Sequence, residues 1–109
     1  MKVFFTGQAH RDIAGIKSYI SEKSPNAAKR IAGHLYDEAK ALINSPLKGV
    51  SLSAKFGIET DLRMWIVSPN LILYKVTEDK IIVTRIVGEK TDYLAAIGLA
   101  KRSDIEDDT

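Results

Sequence analysis

The stretch DLRMWIVSPNLILYKVTEDKIIVTRIV, residues Asp61–Val87, determines the architecture of this 109-residue chain. It contains three short apolar runs of the residue types that β-strands favour, at Leu62–Val67, Leu71–Thr77 and Ile81–Val87. Turn-forming residues separate the runs, with Ser68-Pro69-Asn70 after the first and Glu78-Asp79 after the second. Because connections this short join antiparallel neighbours, the pattern predicts a three-stranded antiparallel meander.

The length of the second turn predicts which side chains share a face of this meander. A two-residue turn at Glu78-Asp79 places Tyr74 opposite Val83 and Ile72 opposite Arg85. One face then carries Ile72, Tyr74, Val76, Ile81, Val83 and Arg85, and an even-length first turn adds Arg63, Trp65 and Val67. The other face carries Leu62, Met64, Ile66, Leu71, Leu73, Ile82 and Ile86. Because this second set is the more uniformly apolar, we expect it to form the core beneath the helices, although a three-residue first turn would reverse the facing of Arg63 and Trp65.

The residues before the meander predict a short strand and two helices. Lys2–Thr6 is a strand candidate, and Thr6-Gly7 ends it and could cap the helix that follows. Apolar residues recur at helical spacing from about Ala9 to Lys23, and again from Pro25 to about Asn44. Ser24-Pro25 is a strong helix-start signal, because serine accepts a hydrogen bond from the first amides and proline suits the first helical position. The short break between the helices predicts an antiparallel αα-hairpin.

The remaining segments are less regular. Pro46–Gly57 shows no clear period and is interpreted as a loop. Thr91–Ala100 has helical spacing and predicts a short third helix. We therefore expect an α+β fold over residues 1–103, with an N-terminal strand, an αα-hairpin on a mainly antiparallel sheet of three to four strands, and a short C-terminal helix. Residues 104–109 are expected to form a disordered acidic tail.

Composition and charge restrict the class of protein. The chain has ordinary hydrophobic and charged fractions, 45% and 28%, and we expect a single soluble cytoplasmic domain without a signal peptide, disulfide or membrane span. Residues 1–103 hold all 16 basic residues but only ten of the 14 acidic ones. A basic body suggests an anionic partner, either nucleic acid or an acidic protein segment, although a merely soluble, mildly basic protein is an equal alternative.

The sequence contains few residues in catalytic patterns. There is no cysteine, the two histidines have no ligand-spaced partner, and no nucleotide-binding or hydrolase motif occurs, so we expect no metal and no cofactor. Tyr74 and Arg85 could together orient a phosphodiester, because arginine clamps phosphate and tyrosine stacks or donates. We favour a structural or protein-binding role for this pair, and a packing role for Trp65.

The order of these elements resembles the ParE/RelE superfamily of bacterial toxins. The resemblance covers roughly residues 2–97 and rests on several short patterns taken together. These are Ala9-x-x-Asp12-Ile13-x-x-Ile16-x-x-Tyr19-Ile20, Pro25-x-Ala27-Ala28-x-Arg30-Ile31, Asn44-x-Pro46-x-x-Gly49, Leu62-Arg63, Ile72-x-Tyr74-x-Val76 and Ile82-x-x-Arg85-Ile86-Val87.

The resemblance implies one of two activities. RelE-like members resemble ribosome-dependent mRNA endonucleases, which carry an arginine where this chain has Leu71 and a basic residue where it has Thr91 or, with a one-residue shift, Lys90. ParE-like members resemble inhibitors that bind DNA gyrase without catalysis, and Arg63, Tyr74 and Arg85 match that branch. Many of its members also have a His and an Arg after the last strand, where this chain has Gly88 and Thr91. A degenerate relative that only binds its antitoxin is a third alternative.

The ParE-like interpretation is favoured, and it implies specific partners and a working surface. We expect DNA gyrase as the target, a cognate ParD-like antitoxin in a hetero-oligomer, and no membrane or sequence-specific nucleic-acid contact. The expected surface for the target or the antitoxin consists of Arg63, Trp65, Tyr74, Arg85 and Lys90, with no catalytic residue. The last two strands are apolar on nearly both sides, which independently indicates that the sheet needs a second cover, supplied by the third helix and an antitoxin segment.

Overall fold

The computed structural model describes residues 1–96 as a five-stranded mixed sheet with a helical hairpin on one face. In chain order the elements are β1 (Lys2–Phe5), α1 (Gly7–Ser21), α2 (Pro25–Ala41) with a 3-10 turn (Leu42–Asn44), β2 (Val50–Ser51), α3 (Leu52–Phe56), β3 (Arg63–Val67), β4 (Asn70–Val76), β5 (Lys80–Gly88) and α4 (Tyr93–Ala96). The strand order is β1-β5-β4-β3-β2. The α+β class and the β3-β4-β5 antiparallel meander are confirmed, and the sheet has one strand more than the upper end of the prediction.

The two long helices begin where the sequence predicts. The Thr6 hydroxyl accepts a hydrogen bond from the Ala9 amide at 3.1 Å and caps α1. The Ser24 hydroxyl accepts from the Ala27 amide at 3.2 Å and caps α2, with Pro25 in its first turn. Small buried residues let α2 approach its neighbours closely, and the apolar stripe is Ala28, Ala32, Leu35 and Ala39. The predicted αα-hairpin is therefore confirmed.

The segment interpreted as a loop contains two short elements instead. β2 pairs antiparallel with β3, so that Val50 lies opposite Met64 and the sheet gains an edge strand. One turn of helix follows directly as α3, and it ends at Gly57, whose φ of 66° is the left-handed conformation that glycine adopts without strain. Elements this short show no period that a sequence pattern could reveal, which is why the prediction of a structureless loop was wrong.

The predicted facing was correct in parity for β3, for β4 and for β5 up to Val83, but wrong in the choice of core. The first turn contains two residues, so Arg63 lies opposite Tyr74 and Trp65 opposite Ile72, as an even turn predicts. The helical hairpin, however, packs on the face that carries Tyr74. Its core cluster consists of Ala9, Ile13, Ala32, Leu35, Ala39, Leu42, Val67, Ile72, Tyr74, Ile81, Val83 and Ile86. Counting apolar residues failed because both faces of the sheet are apolar.

A β-bulge changes the register between β4 and β5. Tyr74 pairs with Val83 as predicted, but the next pair is Leu73 with Arg85, so Thr84 is the extra residue. Consequently Ile72 lies opposite Ile86, and the predicted pairing of Ile72 with Arg85 was wrong. The bulge also moves Ile86 into the hairpin core, whereas the sequence placed it on the other face.

The second face of the sheet has its own smaller apolar cluster. It consists of Leu52, Met64, Leu71, Leu73 and Val87, against which Ile58, Leu62, Tyr93 and Leu94 pack. Helix α3 and the start of α4 therefore cover part of this face, which agrees with the predicted need for a second cover. The rest of the predicted third helix and the predicted acidic tail lie outside the described residues.

Candidate partner-binding surface

Tyr74 is a structural residue that holds the loop before β2. Its side chain is 0% exposed within the chain. The phenol oxygen accepts a hydrogen bond from the Gly49 amide at 2.9 Å and donates to the Pro46 carbonyl at 2.7 Å. Burial raises the pKa of Tyr74, while the Gly49 amide and the charge of Arg63 act in the opposite direction. The prediction that Tyr74 faces a partner was therefore wrong, because the phenol is buried under the hairpin.

Arg63 binds the same loop from the neighbouring strand. Its guanidinium donates to the carbonyl oxygens of Leu47 at 3.2 Å and Gly49 at 2.7 Å. Carbonyl oxygens carry no net charge, and no carboxylate of residues 1–96 lies at ion-pair distance from Arg63. The half-buried guanidinium thus fixes the loop and still contributes positive potential beside it.

Trp65 links the loop to the helical hairpin. Its indole nitrogen donates to the Glu38 carboxylate on α2 at 3.1 Å, and the Lys48 ammonium lies 4.2 Å from its ring centroid. This distance is within the range of a cation–π contact. Residues 46–50, which we call the tyrosine-held loop, are consequently fixed from three sides. The loop exposes Leu47 and Val50, whose side chains are 65% and 42% exposed.

Arg85 lies at the opposite edge of the sheet and is paired within the chain. Its guanidinium donates to both carboxylate oxygens of Asp12 on α1, at 2.8 and 3.2 Å. The Ile86 amide donates to the same carboxylate at 2.9 Å. Strand β1 pairs with β5 only as far as Val83, so Asp12 occupies the edge that β1 leaves open. Sequence reasoning missed Asp12, because nothing in a single helical aspartate reveals a partner 73 residues away.

The Asp12 carboxyl is held in its ionised form. Burial alone would raise its pKa, but hydrogen bonds from Arg85, Gln8 and the Ile86 amide, together with the charge of Arg85, outweigh that effect. The net result is that the pKa of Asp12 lies below 3.8, the ordinary value for aspartate. The ion pair is partly enclosed, with the Asp12 side chain 10% exposed and that of Arg85 29% exposed. Arg85 therefore links β5 to α1 through this ion pair and is not free to bind phosphate.

Lys90 is exposed in the turn that follows β5. The five residues predicted to form the partner-binding surface lie in separate parts of the molecule and do not form one site. Arg63, Trp65 and the buried Tyr74 surround the tyrosine-held loop at the β2 edge, whereas Arg85 belongs to the β5 edge.

An open groove of about 610 Å³ lies between α1 and the turn that joins β3 to β4. It is lined by Arg11, Asp12, Gly15, Ile16, Tyr19, Ile20, Pro69, Asn70 and Gly88. The Tyr19 side chain at its rim is 74% exposed. An aromatic side chain beside an apolar groove is typical of protein–protein interfaces. Sequence reasoning missed Tyr19 as a surface residue, although a tyrosine outside the apolar stripe of a predicted helix is a signal for such a surface.

Two findings concern metals and membranes. Among residues 1–96, no group of three His, Cys, Asp or Glu side chains is arranged to hold a metal ion. Within the same part of the chain, no helix has the length and apolar character needed to cross a bilayer.

Comparison with known proteins places these features in a family. The model of the family described as ParE toxin of type II toxin–antitoxin system, parDE, matches residues 3–93. A solved structure described as the chromosomal ParDE TA system from P. aeruginosa aligns with a TM-score of 0.67 and 19% sequence identity, over 81% of this chain and 95% of that one. YafQ from E. coli strain BL21(DE3) aligns with a TM-score of 0.46 and 20% identity, over 88% of this chain and 96% of that one. No curated protein sequence matches the chain.

Proposed function

Because the chain belongs to the ParE toxin family of type II toxin–antitoxin systems, we propose that it inhibits DNA gyrase by binding, and that a cognate ParD-like antitoxin neutralises it. The toxin acts in the cytoplasm, needs no cofactor, and forms a hetero-oligomer with its antitoxin. It makes no sequence-specific contact with nucleic acid and none with a membrane.

The commitment of Tyr74 and Arg85 to partners within the chain is the observation that supports binding over catalysis. A phosphodiester-cleaving site needs several donors that converge on one exposed phosphate. The Tyr74 phenol is buried on Gly49 and Pro46, and the Arg85 guanidinium is paired with Asp12. Leu71 occupies the position at which the resembled nucleases carry an arginine, and it lies in the second apolar cluster.

The tyrosine-held loop is the surface that we propose for gyrase. It presents the exposed apolar side chains of Leu47 and Val50, together with the positive charges of Lys48 and Arg63. Because Tyr74, Arg63 and Trp65 fix the loop before any partner arrives, binding costs little conformational entropy. Lys90 lies outside this loop, in the turn after β5, where the Glu89 amide donates to the Pro69 carbonyl at 2.9 Å.

The groove beside α1 is the site that we propose for the antitoxin. Its lining is apolar along Ile16, Ile20 and Pro69 and charged at Arg11 and Asp12, which suits one face of an amphipathic segment. Asp12 is already held by Arg85. Arg11 is exposed, and Gln8 is the hydrogen-bond partner of its guanidinium, at 3.2 Å. An antitoxin segment with an acidic residue opposite Arg11 and apolar residues opposite Ile16 fits this lining.

We expect Tyr19→Ala to weaken antitoxin binding about 30-fold, because an exposed aromatic residue at the rim of a groove is a typical interface hot spot worth roughly 2 kcal/mol. The fold should be unaffected, since the side chain is 74% exposed. Titration calorimetry with the cognate antitoxin measures the change. Leu47→Ala is the matched control, because Leu47 is also well exposed, at 65%, but belongs to the tyrosine-held loop. If Tyr19→Ala binds the antitoxin within twofold of the wild-type affinity, the antitoxin does not bind in this groove.

Induction in bacterial cells tests the proposed target. We expect growth arrest, progressive relaxation of a reporter plasmid, and unchanged mRNA ends in primer extension. Discrete mRNA cuts without plasmid relaxation would replace the proposal by a ribosome-dependent nuclease. Normal growth with normal plasmid supercoiling, at verified expression of folded protein, would replace it by a relative that only binds an antitoxin.

A further inference from the structure

The second face of the sheet is basic along its β1 edge. The register pairs Lys2 with Lys80, and it pairs Ile82 with Phe4 on one side and with Lys75 on the other. Cross-strand partners share a face of a sheet. Neighbouring residues along the same strands pack on the opposite face, in the hairpin core, and these include Val3, Phe5, Val76, Ile81 and Val83. We call Lys2, Phe4, Lys75, Lys80 and Ile82 the lysine patch.

The positive charge of the lysine patch has no counterpart in the part of the chain that the structure describes. Within residues 1–96, the ion pair that forms joins Arg85 to Asp12, and none of the three lysines of the patch has a carboxylate at ion-pair distance. The turn before Lys80 is acidic, but the Asp79 carboxylate accepts a hydrogen bond from the Thr77 hydroxyl at 3.2 Å. Three ammonium groups on one face therefore create a local positive potential that attracts an anionic partner.

An exposed aromatic ring lies among these charges. Phe4 is 49% exposed, and the Lys80 ammonium lies 5.7 Å from the centroid of its ring. Sheet faces that combine basic side chains with exposed aromatic rings bind single-stranded nucleic acids, because bases stack on the rings while the basic groups contact phosphates. A closed duplex gains less from such a face, since its bases are already stacked on one another.

We propose that the lysine patch binds single-stranded nucleic acid without regard to base sequence. One base stacks on Phe4, and the three lysines contact the neighbouring phosphates as point charges. Strands lie about 4.8 Å apart and residues two apart on a strand about 6.6 Å, so the Cα atoms of Lys2 and Lys75 are roughly 12 Å apart. A few nucleotides span that distance.

The aromatic ring favours nucleic acid over an acidic protein segment. An acidic peptide satisfies the three ammonium groups equally well, but nothing in its charge requires a ring, whereas every base has a π-face that stacks on Phe4. The inference does not depend on gyrase or on the antitoxin, because the tyrosine-held loop and the groove beside α1 lie elsewhere on the molecule.

Fluorescence anisotropy with a labelled thymidine oligonucleotide of roughly 16 nucleotides tests the contribution of the charges. The patch variant replaces Lys2, Lys75 and Lys80 by glutamine. The charge-matched control variant makes the same change at three exposed lysines of the helical hairpin, which are Lys17, Lys23 and Lys29. At about 50 mM salt, we expect the patch variant to bind about tenfold more weakly than wild type, and the control to stay within about threefold.

The salt dependence provides a second measure of the same contacts. Each phosphate contact contributes roughly 0.7 to the slope of log affinity against log salt for a single strand, so the patch variant should lose about 2 from that slope. The emission of Trp65 checks that both variants are folded. Equal losses of affinity and of slope in the patch and control variants would reduce the binding to net charge and overturn the proposal.

Phe4→Ala tests the stacking contact separately from the charges. It should weaken binding of the single strand roughly tenfold, whereas Phe4→Tyr, which keeps an aromatic ring, should retain the wild-type affinity. Binding of a duplex of the same length should be weaker and unaffected by either substitution. Unchanged single-strand affinity in Phe4→Ala, with a glutamate-rich peptide that displaces the oligonucleotide at equal concentration, would assign the patch to an acidic protein partner and overturn the proposal.

Nuclear magnetic resonance of the full-length chain locates the contact. Addition of the oligonucleotide should shift the backbone amide signals of Phe4, Lys75 and Ile82 and leave those of the tyrosine-held loop in place. That loop is the stringent comparison, because it also presents positive charge, from Lys48 and Arg63. Shifts confined to the tyrosine-held loop or to the helical hairpin would contradict binding at the lysine patch.

Discussion

Gly49→Ala should destabilise the protein by about 3 kcal/mol, because a side chain at position 49 has no room. A Cβ atom built on Gly49 lies 2.5 Å from the Tyr74 phenol oxygen and 2.7 and 2.9 Å from two ring carbons. Tyr74 cannot retreat, since it is fully buried and hydrogen-bonded to Pro46. Relief requires the tyrosine-held loop to move away, which also breaks the bond from the Gly49 amide to the phenol. Urea denaturation followed by the fluorescence of Trp65 measures the change.

Gly33→Ala is the matched control for this prediction. Gly33 lies inside α2, and a Cβ atom there meets nothing within 4 Å. Alanine should therefore stabilise the helix by roughly 0.5–1 kcal/mol, as it does in most helix interiors. No neighbouring atom therefore requires glycine at position 33.

The double variant Gly49→Ala/Tyr74→Phe makes the test specific. Removing the phenol oxygen eliminates the closest clash but also two hydrogen bonds, so Tyr74→Phe alone should cost about 1–2 kcal/mol. Because both substitutions act on the same contact, their combined cost should be clearly less than the sum. Strict additivity, or a Gly49→Ala protein as stable as wild type, would show that Tyr74 does not hold the loop.

Asp12→Ala should cost about 2–3 kcal/mol at neutral pH, because it leaves two donors of the β5 edge without an acceptor. The Arg85 guanidinium and the Ile86 amide both bind this carboxylate. Asp37→Ala, which removes an exposed acid from α2, should change the free energy of unfolding by less than 0.5 kcal/mol, which is roughly the typical effect of a surface substitution. Equal effects of the two variants would mean that the Asp12–Arg85 ion pair contributes nothing to the free energy of unfolding.

The contribution of Asp12 should also depend on pH in a defined direction. Its folded-state pKa is lowered below 3.8, so the folded protein binds this proton less readily than the unfolded chain does. The stabilisation is therefore fully present above the unfolded pKa and is lost as the pH falls through the folded one. We expect the difference in unfolding free energy between wild type and Asp12→Asn to be constant near neutrality and to shrink only below about pH 4. A difference that grew on acidification would contradict the lowered pKa.

Local signals explain which features could be predicted from the sequence. Ser24, Pro25 and Thr6 act on amides within three residues of themselves, and the helix starts were correct for that reason. The meander followed from turn lengths, and the even first turn correctly placed Arg63 and Trp65 on the face of Tyr74. The family resemblance, which rested on the order of these elements, is confirmed by the match over residues 3–93.

The wrong predictions concern features that depend on packing between distant parts of the chain. Both faces of the sheet are apolar, and the hairpin covers one of them while α3 and α4 cover part of the other. Nothing local to β4 reveals which face receives the larger cover, so Tyr74 was assigned to the wrong environment. The bulge at Thr84 is equally hidden, because threonine is an ordinary strand residue and its hydroxyl bonds the Leu73 carbonyl across the sheet. The role of Asp12 depends on the packing of α1 against the β5 edge, which no local sequence pattern reveals.

These corrections change how the expected working surface is understood. Because Tyr74 is buried under the hairpin, its side chain cannot contact a partner directly. Its two hydrogen bonds instead determine the shape of the loop that we propose as the gyrase-binding surface. Arg63 and Trp65 act on the same loop from its other sides. A toxin that works by shape complementarity needs this kind of rigid support, whereas a nuclease needs the tyrosine and arginine groups exposed.

A supercoiling assay with purified components tests the proposed function most directly. Relaxed plasmid, bacterial gyrase and ATP are incubated with increasing amounts of the folded chain, alone or with its antitoxin. We expect supercoiling to stop at a small molar excess and to return when antitoxin is added. Folded Tyr74→Phe should still stop it, but only at a higher concentration, because the missing hydroxyl loosens the loop and plays no chemical part. Undiminished supercoiling at a large excess of folded wild-type protein would contradict inhibition of gyrase by binding.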